Sequence, residues 1–269
     1  FGQPVPSKGV FAPVRTRSSL AVLGRNLSAS MDIWDAENGY PNHPVYRDFY
    51  RDAGYDLPRE RIESFLESDG ARTPTGFKYW AVSGKGKEKK PYDPVSASEQ
   101  CALHADDFLN RRVKDLEQAE QLNEEKGICL CAYNADLFGH WWYEGPEFIE
   151  KMFRKAAIRD DVHFVTPSEY VNKIESDSYQ ISMPEFSSWG SNGYAETWLD
   201  SSNDWIYRHL LRSVDRMIEL AERFPDDGGL KERALNQAAR EILLAQSSDW
   251  ASILKLGYSR EYVRSRVEE

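Results

Sequence analysis

Residues 127–142 read "GICLCAYNADLFGHWW". The first part is a short apolar run bounded by glycine, which predicts a buried strand over 127–132. Directly after it, nine residues from Asn134 to Trp142 bring together an amide, a carboxylate, a histidine and two tryptophans. In parallel α/β barrels the reacting groups sit where strands end and loops begin. The stretch therefore predicts both a layer type and a place for chemistry, with Asn134, Asp136, His140 and Trp141 as candidates. The first of them is unexpected. An asparagine keeps the shape and hydrogen bonding of an aspartate but has no proton to give or take near pH 7. Residue types alone leave a plainer alternative open, in which Asn134 caps the next turn and Asp136 pairs on the surface.

Working outward, a helix is expected to start at Asp93-Pro94, since aspartate caps and proline suits the first helical position. Ala97, Cys101, Ala105, Phe108 and Leu116 recur on one face, carrying it to about residue 122. A second helix is expected over 146–157. "VHFV" at 162–165 reads as a further strand running into "TPSEY", where Thr166 and Glu169 have capping-box spacing. "LAVLG" at 20–24 and "GFKYWAV" at 76–82 also read as strands, and 31–60 as a long irregular segment of the kind that carries function. Alternating strand and helix argue for a parallel α/β layer. Near 180 the character changes. "MPEFSSWGSNGYAETWLDSSNDW" is a Ser/Gly/aromatic loop, followed by helical periodicity over 203–224 with Ser202 as cap. "PDDGG" breaks that pattern, a helix follows at 229–246, and a short one closes the chain at 259–267. The expected division is 1–180, α/β, and 181–269, all helical.

Composition narrows the classes. With 269 residues, 41% hydrophobic and 29% charged, the chain is large enough for one or two packed domains. A net charge of −10 argues against nucleic acid and anionic membrane surfaces as partners. The one basic cluster, "KGKEKK" at 85–90, reads as a solvated loop. No apolar run is long enough to span a bilayer. The opening "FGQPVPSKGVFAPV" lacks the pattern of a signal peptide and does not begin with Met, so the chain is expected to be a processed or excised piece. Three cysteines fit a reducing, cytoplasmic setting. Cys129 and Cys131 share a strand face, yet no second Cys or His pair has ligand spacing, so no metal is expected. Eight Trp and fourteen Tyr are many for this length. Where they sit beside Gly, Ser and Asn, their flat faces suit sugar rings as well as core packing.

"AYNADLFGHWWYEGP" resembles the motif "YDAELFGHWWFEGP" of glycoside hydrolase family 57, in particular its α-1,4-glucan branching enzymes. "GYPNHPVYRDFYRDAGYDL", "TGFKYW", "SSWGSNGYAETWLDSSNDWIYRHL" and "RALNQAAREILLAQSSDWASI" resemble further segments of that family, in its order. The resemblance implies the C-terminal part of an incomplete seven-stranded β/α barrel followed by a helical domain. It implies transfer of an α-1,4-glucan piece to a 6-hydroxyl with retained configuration, an α-glucan or malto-oligosaccharide partner, and no cofactor. Asn134 then stands at the family's acid/base aspartate. Trp34, Tyr40, Asp136, His140, Trp141, Trp189 and Trp198 stand at substrate-binding positions. The nucleophile lies in the family's N-terminal half, which is expected as a partner on the same precursor or a separate chain. Asn42, His43 and Tyr258 also depart from the family pattern. Two readings follow: half of a glucanotransferase, inactive by itself, or a pseudoenzyme that binds or scaffolds glucan. A purely structural helical module would leave the polar-aromatic clusters without a purpose.

Overall fold

The computed structural model describes residues 5–66, 70–83, 88–123, 126–173, 179–225 and 228–268. The Lys-rich loop at 85–90 and the break at 225–229 each lie partly outside these residues. The chain divides into two compact units, Phe1–Pro184 and Glu185–Glu269.

In the first unit the dominant element is helix α4, Pro94–Asn123. Asp93 caps it, its carboxylate accepting from Val95 N, Ser96 N and Ser96 Oγ. The expected face is buried at Ala97, Cys101, Ala105 and Phe108, and it continues through Leu109 and Arg112. Helix α5, Gly145–Ala156, packs along α4. Short α6, Pro167–Val171, begins with the capping box: Glu169 N donates to Thr166 Oγ1 while Thr166 N donates to the Glu169 carboxylate.

Part of the segment read as irregular is a helix. Before α4 comes α1, Leu27–Trp34, which is started by Asn26, whose side-chain oxygen accepts from Ala29 N at 2.7 Å. Short helices α2, Ala53–Asp56, and α3, Arg59–Ile62, follow it. The main core joins α1, α4 and α5 through Ala29, Ile33, Tyr46, Cys101, Phe108, Leu137, Trp142 and Phe148.

The expected strands are extended but scarcely laddered. Among the described residues the regular sheet is one antiparallel pair, β1 Val14–Arg15 with β2 Ala21–Val22. The 127–132 stretch makes one parallel bridge, Leu130 with Arg25, and the 76–82 stretch makes bridges at Trp80 and Ala81. Residues 162–165 form no strand. The parallel direction survives in the bridges Arg15–Ile181 and Arg25–Leu130. Apolar runs favour extension, but a ladder also needs neighbours on both sides. Here Ile128 N reaches Phe11 O, and Leu130 O accepts from Asn26 N, with no continuous strand alongside.

The second unit is helical. Helix α7, Asp204–Arg223, pairs with α8, Leu230–Ala245. Two further helices follow, α9 Ser248–Leu256 and α10 Arg260–Glu268. The sequence reading had only the last of these. Helix α9 ends at Gly257, whose φ of +88° is the left-handed cap that glycine adopts without strain. The unit's core is Ile206, Leu254 and Val263, flanked by Trp205, Leu210, Trp250 and Ile253. Ser202 does not cap α7. That position belongs to Asn203, which is fully buried and spends its amide on Thr197 O at 2.9 Å and Ala251 O at 3.0 Å.

Candidate functional site

The loop after residue 132 is held from beneath. Leu137 and Trp142 are buried in the core. Between them the backbone closes on itself: Trp142 N donates to Leu137 O at 2.9 Å and Gly139 N to Trp142 O at 2.8 Å. The turn needs φ of +95° at Gly139, a conformation that L side chains resist. With these anchors fixed, Asp136 and His140 are exposed and Trp141 is half-buried.

Glu144 ties a second loop to the first. It is buried at the start of α5, and its carboxylate accepts from Arg47 N at 2.9 Å. Burial pushes its carboxyl above the usual range, with the Arg47 hydrogen bond acting against the rise. The Arg47 guanidinium lies 3.5 Å over the Tyr143 ring and reinforces the same link. Residues 44–50 are thereby set beside 139–144.

The result is an aromatic platform. Trp34, at the end of α1, stacks on Trp141 with ring centres 6.5 Å apart and planes 15° from parallel. Trp141 Nε1 donates to the Tyr50 hydroxyl at 3.3 Å. Tyr50 meets Phe49 edge-on, and Phe49 meets His140 the same way, each at 5.3 Å. Trp34 is 44% and Tyr50 78% exposed, so large ring faces remain open to solvent. Flat apolar faces with hydroxyl and imidazole at their edges suit a ligand with C–H faces and hydroxyl rims.

Asn134 opens the loop. Its side chain caps nothing in the 3-10 turn Ala135–Leu137; only its carbonyl takes part, accepting from Leu137 N at 3.3 Å. Asp136 is in no ion pair among the described residues. The plainer account of these two side chains, cap and surface pair, is therefore not what they do.

Of the residues singled out in the sequence, Trp34, His140 and Trp141 share the platform. Tyr40 lies elsewhere. Its ring is buried, stacked on His104 at 4.4 Å, and its hydroxyl donates to Asp107 Oδ2 at 2.6 Å. Burial and that bond raise its phenol well above the ordinary value.

Trp189 and Trp198 belong to the second unit and form their own pair, 6.1 Å between ring centres, with Trp198 Nε1 donating to Trp189 O at 2.9 Å. Their loop is tightly tied, with Ala195 N donating to Ser188 Oγ and Ser191 Oγ bonded to Thr197 Oγ1. It presents Trp189 at 67% exposure.

Tyr50, Phe49 and Glu144 were not singled out. Tyr50 and Phe49 lie in the aromatic-rich 40–58 segment, but only the fold shows which of its rings meets Trp141. Among the described residues no group of three His, Cys, Asp or Glu could hold a metal ion.

Residues 209–269 match the family model described as "1,4-alpha-glucan branching enzyme, C-terminal". The 1,4-alpha-glucan branching enzyme of Thermococcus kodakarensis is 32% identical over 93% of this chain, which covers 34% of that protein. The chain matches the C-terminal half of family 57 branching enzymes. Solved structures agree. The family 57 branching enzyme of Thermococcus kodakaraensis, solved with glucose, has a TM-score of 0.76 at 30% identity over 96% of this chain. The alpha-amylase AmyC of Thermotoga maritima has the same TM-score at 36% identity over 98%. The chain spans 44% and 49% of those two solved chains.

Proposed function

We propose that this chain acts on α-1,4-glucan as the C-terminal part of a family 57, branching-type glucanotransferase. In this reading its extended segments are the last strands of the incomplete barrel. A segment equivalent to the relatives' first half, on the same precursor or another chain, supplies the remaining strands and the nucleophilic carboxylate. Exposed apolar residues along the extended segments support this: Leu20 is 64% and Ile181 54% exposed, as though other strands lie against them. The observation that carries the reading is the Trp34–Trp141 platform on the loop that Asn134 opens. Asp136 and His140 would meet sugar hydroxyls, Trp34 and Trp141 a sugar face, and Trp189 and Trp198 further glucan units. The three free thiols fit a reducing compartment.

Retaining glycosyl transfer needs one carboxyl as nucleophile and a second that protonates the leaving oxygen. Asn134, at the family's acid/base position, has no such proton. Losing one member of a catalytic unit costs several orders of magnitude in rate. This favours a second reading, in which the chain holds glucan without cutting it.

The test uses the full-length protein, as it is and as Asn134→Asp, with amylose. Formation of α-1,6 branches by the variant, with little or none by the parent, supports the glucanotransferase reading. Release of sugars without branching would instead assign hydrolysis, as the name of the Thermotoga relative suggests. Binding of malto-oligosaccharide by both, with chemistry by neither, supports the pseudoenzyme. If neither form binds malto-oligosaccharide, both readings fall.

A further inference from the structure

Tyr50 is exposed, yet the chain around it is tied down peptide by peptide. Arg47 N donates to the Glu144 carboxylate at 2.9 Å and Asp48 N to Trp80 O at 2.8 Å. Lys78 Nζ donates to Phe49 O at 2.6 Å and to Arg51 O at 3.3 Å, bracketing Tyr50. Tyr50 N itself donates to Asp48 Oδ1 at 2.8 Å, and Lys89 Nζ holds the other oxygen of that carboxylate. What these ties hold in place is a ring 78% open to solvent. An exposed ring returns little packing energy for the ordering of its loop, whereas a ligand gains from a group already fixed in position.

The hydroxyl is also only half used. It accepts from Trp141 Nε1 at 3.3 Å, and its own proton meets no acceptor among the described residues. A phenol can accept and donate at once, and an accepted bond strengthens the one it donates. The hydroxyl lies at the edge of the indole, so a sugar ring stacked on Trp141 brings its rim oxygens beside it.

We propose that Tyr50 is a glucan-binding residue, donating its hydroxyl proton to an oxygen of the sugar that rests on Trp141. The inference rests on the glucan reading above and adds a contact from the 44–50 loop, which that reading leaves without one. The contact supplies selectivity. Stacking accepts any flat apolar face, while a fixed donor requires an oxygen at one place on the rim.

The experiment titrates maltoheptaose into the full-length protein, its Tyr50→Phe and Trp141→Phe variants, and the double variant. Tyr50→Phe keeps the ring and removes the hydroxyl, so affinity should fall roughly fivefold. Trp141→Phe has no N–H to hold, and in that background removing the hydroxyl should still weaken binding roughly threefold. Unchanged affinity in Tyr50→Phe overturns the proposal. So does a loss that disappears in the Trp141→Phe background, since the hydroxyl would then act only by steadying the indole. No binding of maltoheptaose by the parent is a different failure: it overturns the glucan reading, and this contact with it.

Discussion

Asn134 and Tyr40, both singled out in the sequence, are used very differently by their surroundings. Asn134 is exposed and its side chain is uncommitted, whereas the Tyr40 ring and hydroxyl are both consumed inside the fold. Trp141→Ala should weaken malto-oligosaccharide binding about tenfold, since it removes the stacked partner of Trp34 together with the Tyr50 contact. Tyr40→Phe should leave that affinity unchanged and lower the unfolding midpoint instead, because Asp107 loses a hydrogen bond. Calorimetric titration alongside denaturant unfolding separates the two; an affinity loss in Tyr40→Phe would put that ring back at the ligand. Asp52 is a third kind of residue. Burial disfavours its charge, yet Thr75 N, Gly54 N, Thr75 Oγ1 and Gly76 N all donate to it and hold its pKa at about 2. Asp52→Ala leaves those donors unmet and should cost about 2 kcal/mol in urea unfolding.

Elements were legible where local chemistry sets them. The Asp93-Pro94 start of α4 and the Thr166/Glu169 box of α6 are written in neighbouring residues, and the structure forms both. Helix α1 was missed although Asn26 signals its start, because "MDIWDAENGYPN" is rich in turn formers and α1 takes its strength from packing on α4. Asp32 on α1 receives Arg111 Nη1 at 2.8 Å and Arg112 Nη1 at 3.0 Å, and Arg112 also donates to Ser28 Oγ. No periodicity reveals that a guanidinium lies on the buried face of α4. The strands failed for the opposite reason: their apolar runs are visible, while a ladder needs a partner strand in register, which no local pattern reveals. Asp32→Ala should therefore be worse than an ordinary cavity. It takes away one of the two carboxylates on the Arg112 side chain, which is 4% exposed and keeps Asp115 Oδ2 at 3.0 Å and Ser28 Oγ, and should cost about 2–3 kcal/mol. Asp32→Ala combined with Arg112→Leu should recover part of that loss in urea midpoints. A double variant no better than the single one would show that the ion pair does not govern the α1–α4 contact.

For the molecule as a whole, the buried polar groups set how stability responds to acid. His104 is enclosed by Tyr40, Tyr46 and His43. Gln100 Nε2 faces its Nε2 at 3.0 Å, and its Nδ1 lies 2.7 Å from the Tyr46 hydroxyl. An amide nitrogen only donates, so Nε2 accepts and the ring proton sits on Nδ1. Protonating Nε2 would set two donors against each other in a half-buried place. Burial first, and the neighbouring His43 second, lower the His104 pKa from 6.5 to about 4; Asp107 opposes and Arg111 adds to the fall. Between those values the unfolded chain binds the proton more readily than the folded one, so stability is full above pH 6.5 and declines as pH falls toward 4. Asp52 then extends the decline. Its contribution is present above the ordinary aspartate value of 3.8 and is lost as pH falls through about 2. The urea midpoint of the full-length protein should thus be level from pH 8 to 6.5 and drop steadily from there to pH 4. His104→Gln removes one of the two titrating groups, since burial lowers the neighbouring His43 as well, and should shrink the drop over that interval without touching the loss below pH 4. A parent midpoint that stays level down to pH 4.5 would mean that His104 is not locked in its neutral form, and with it the packing of Tyr40 and Tyr46 against α4 would have to be redrawn.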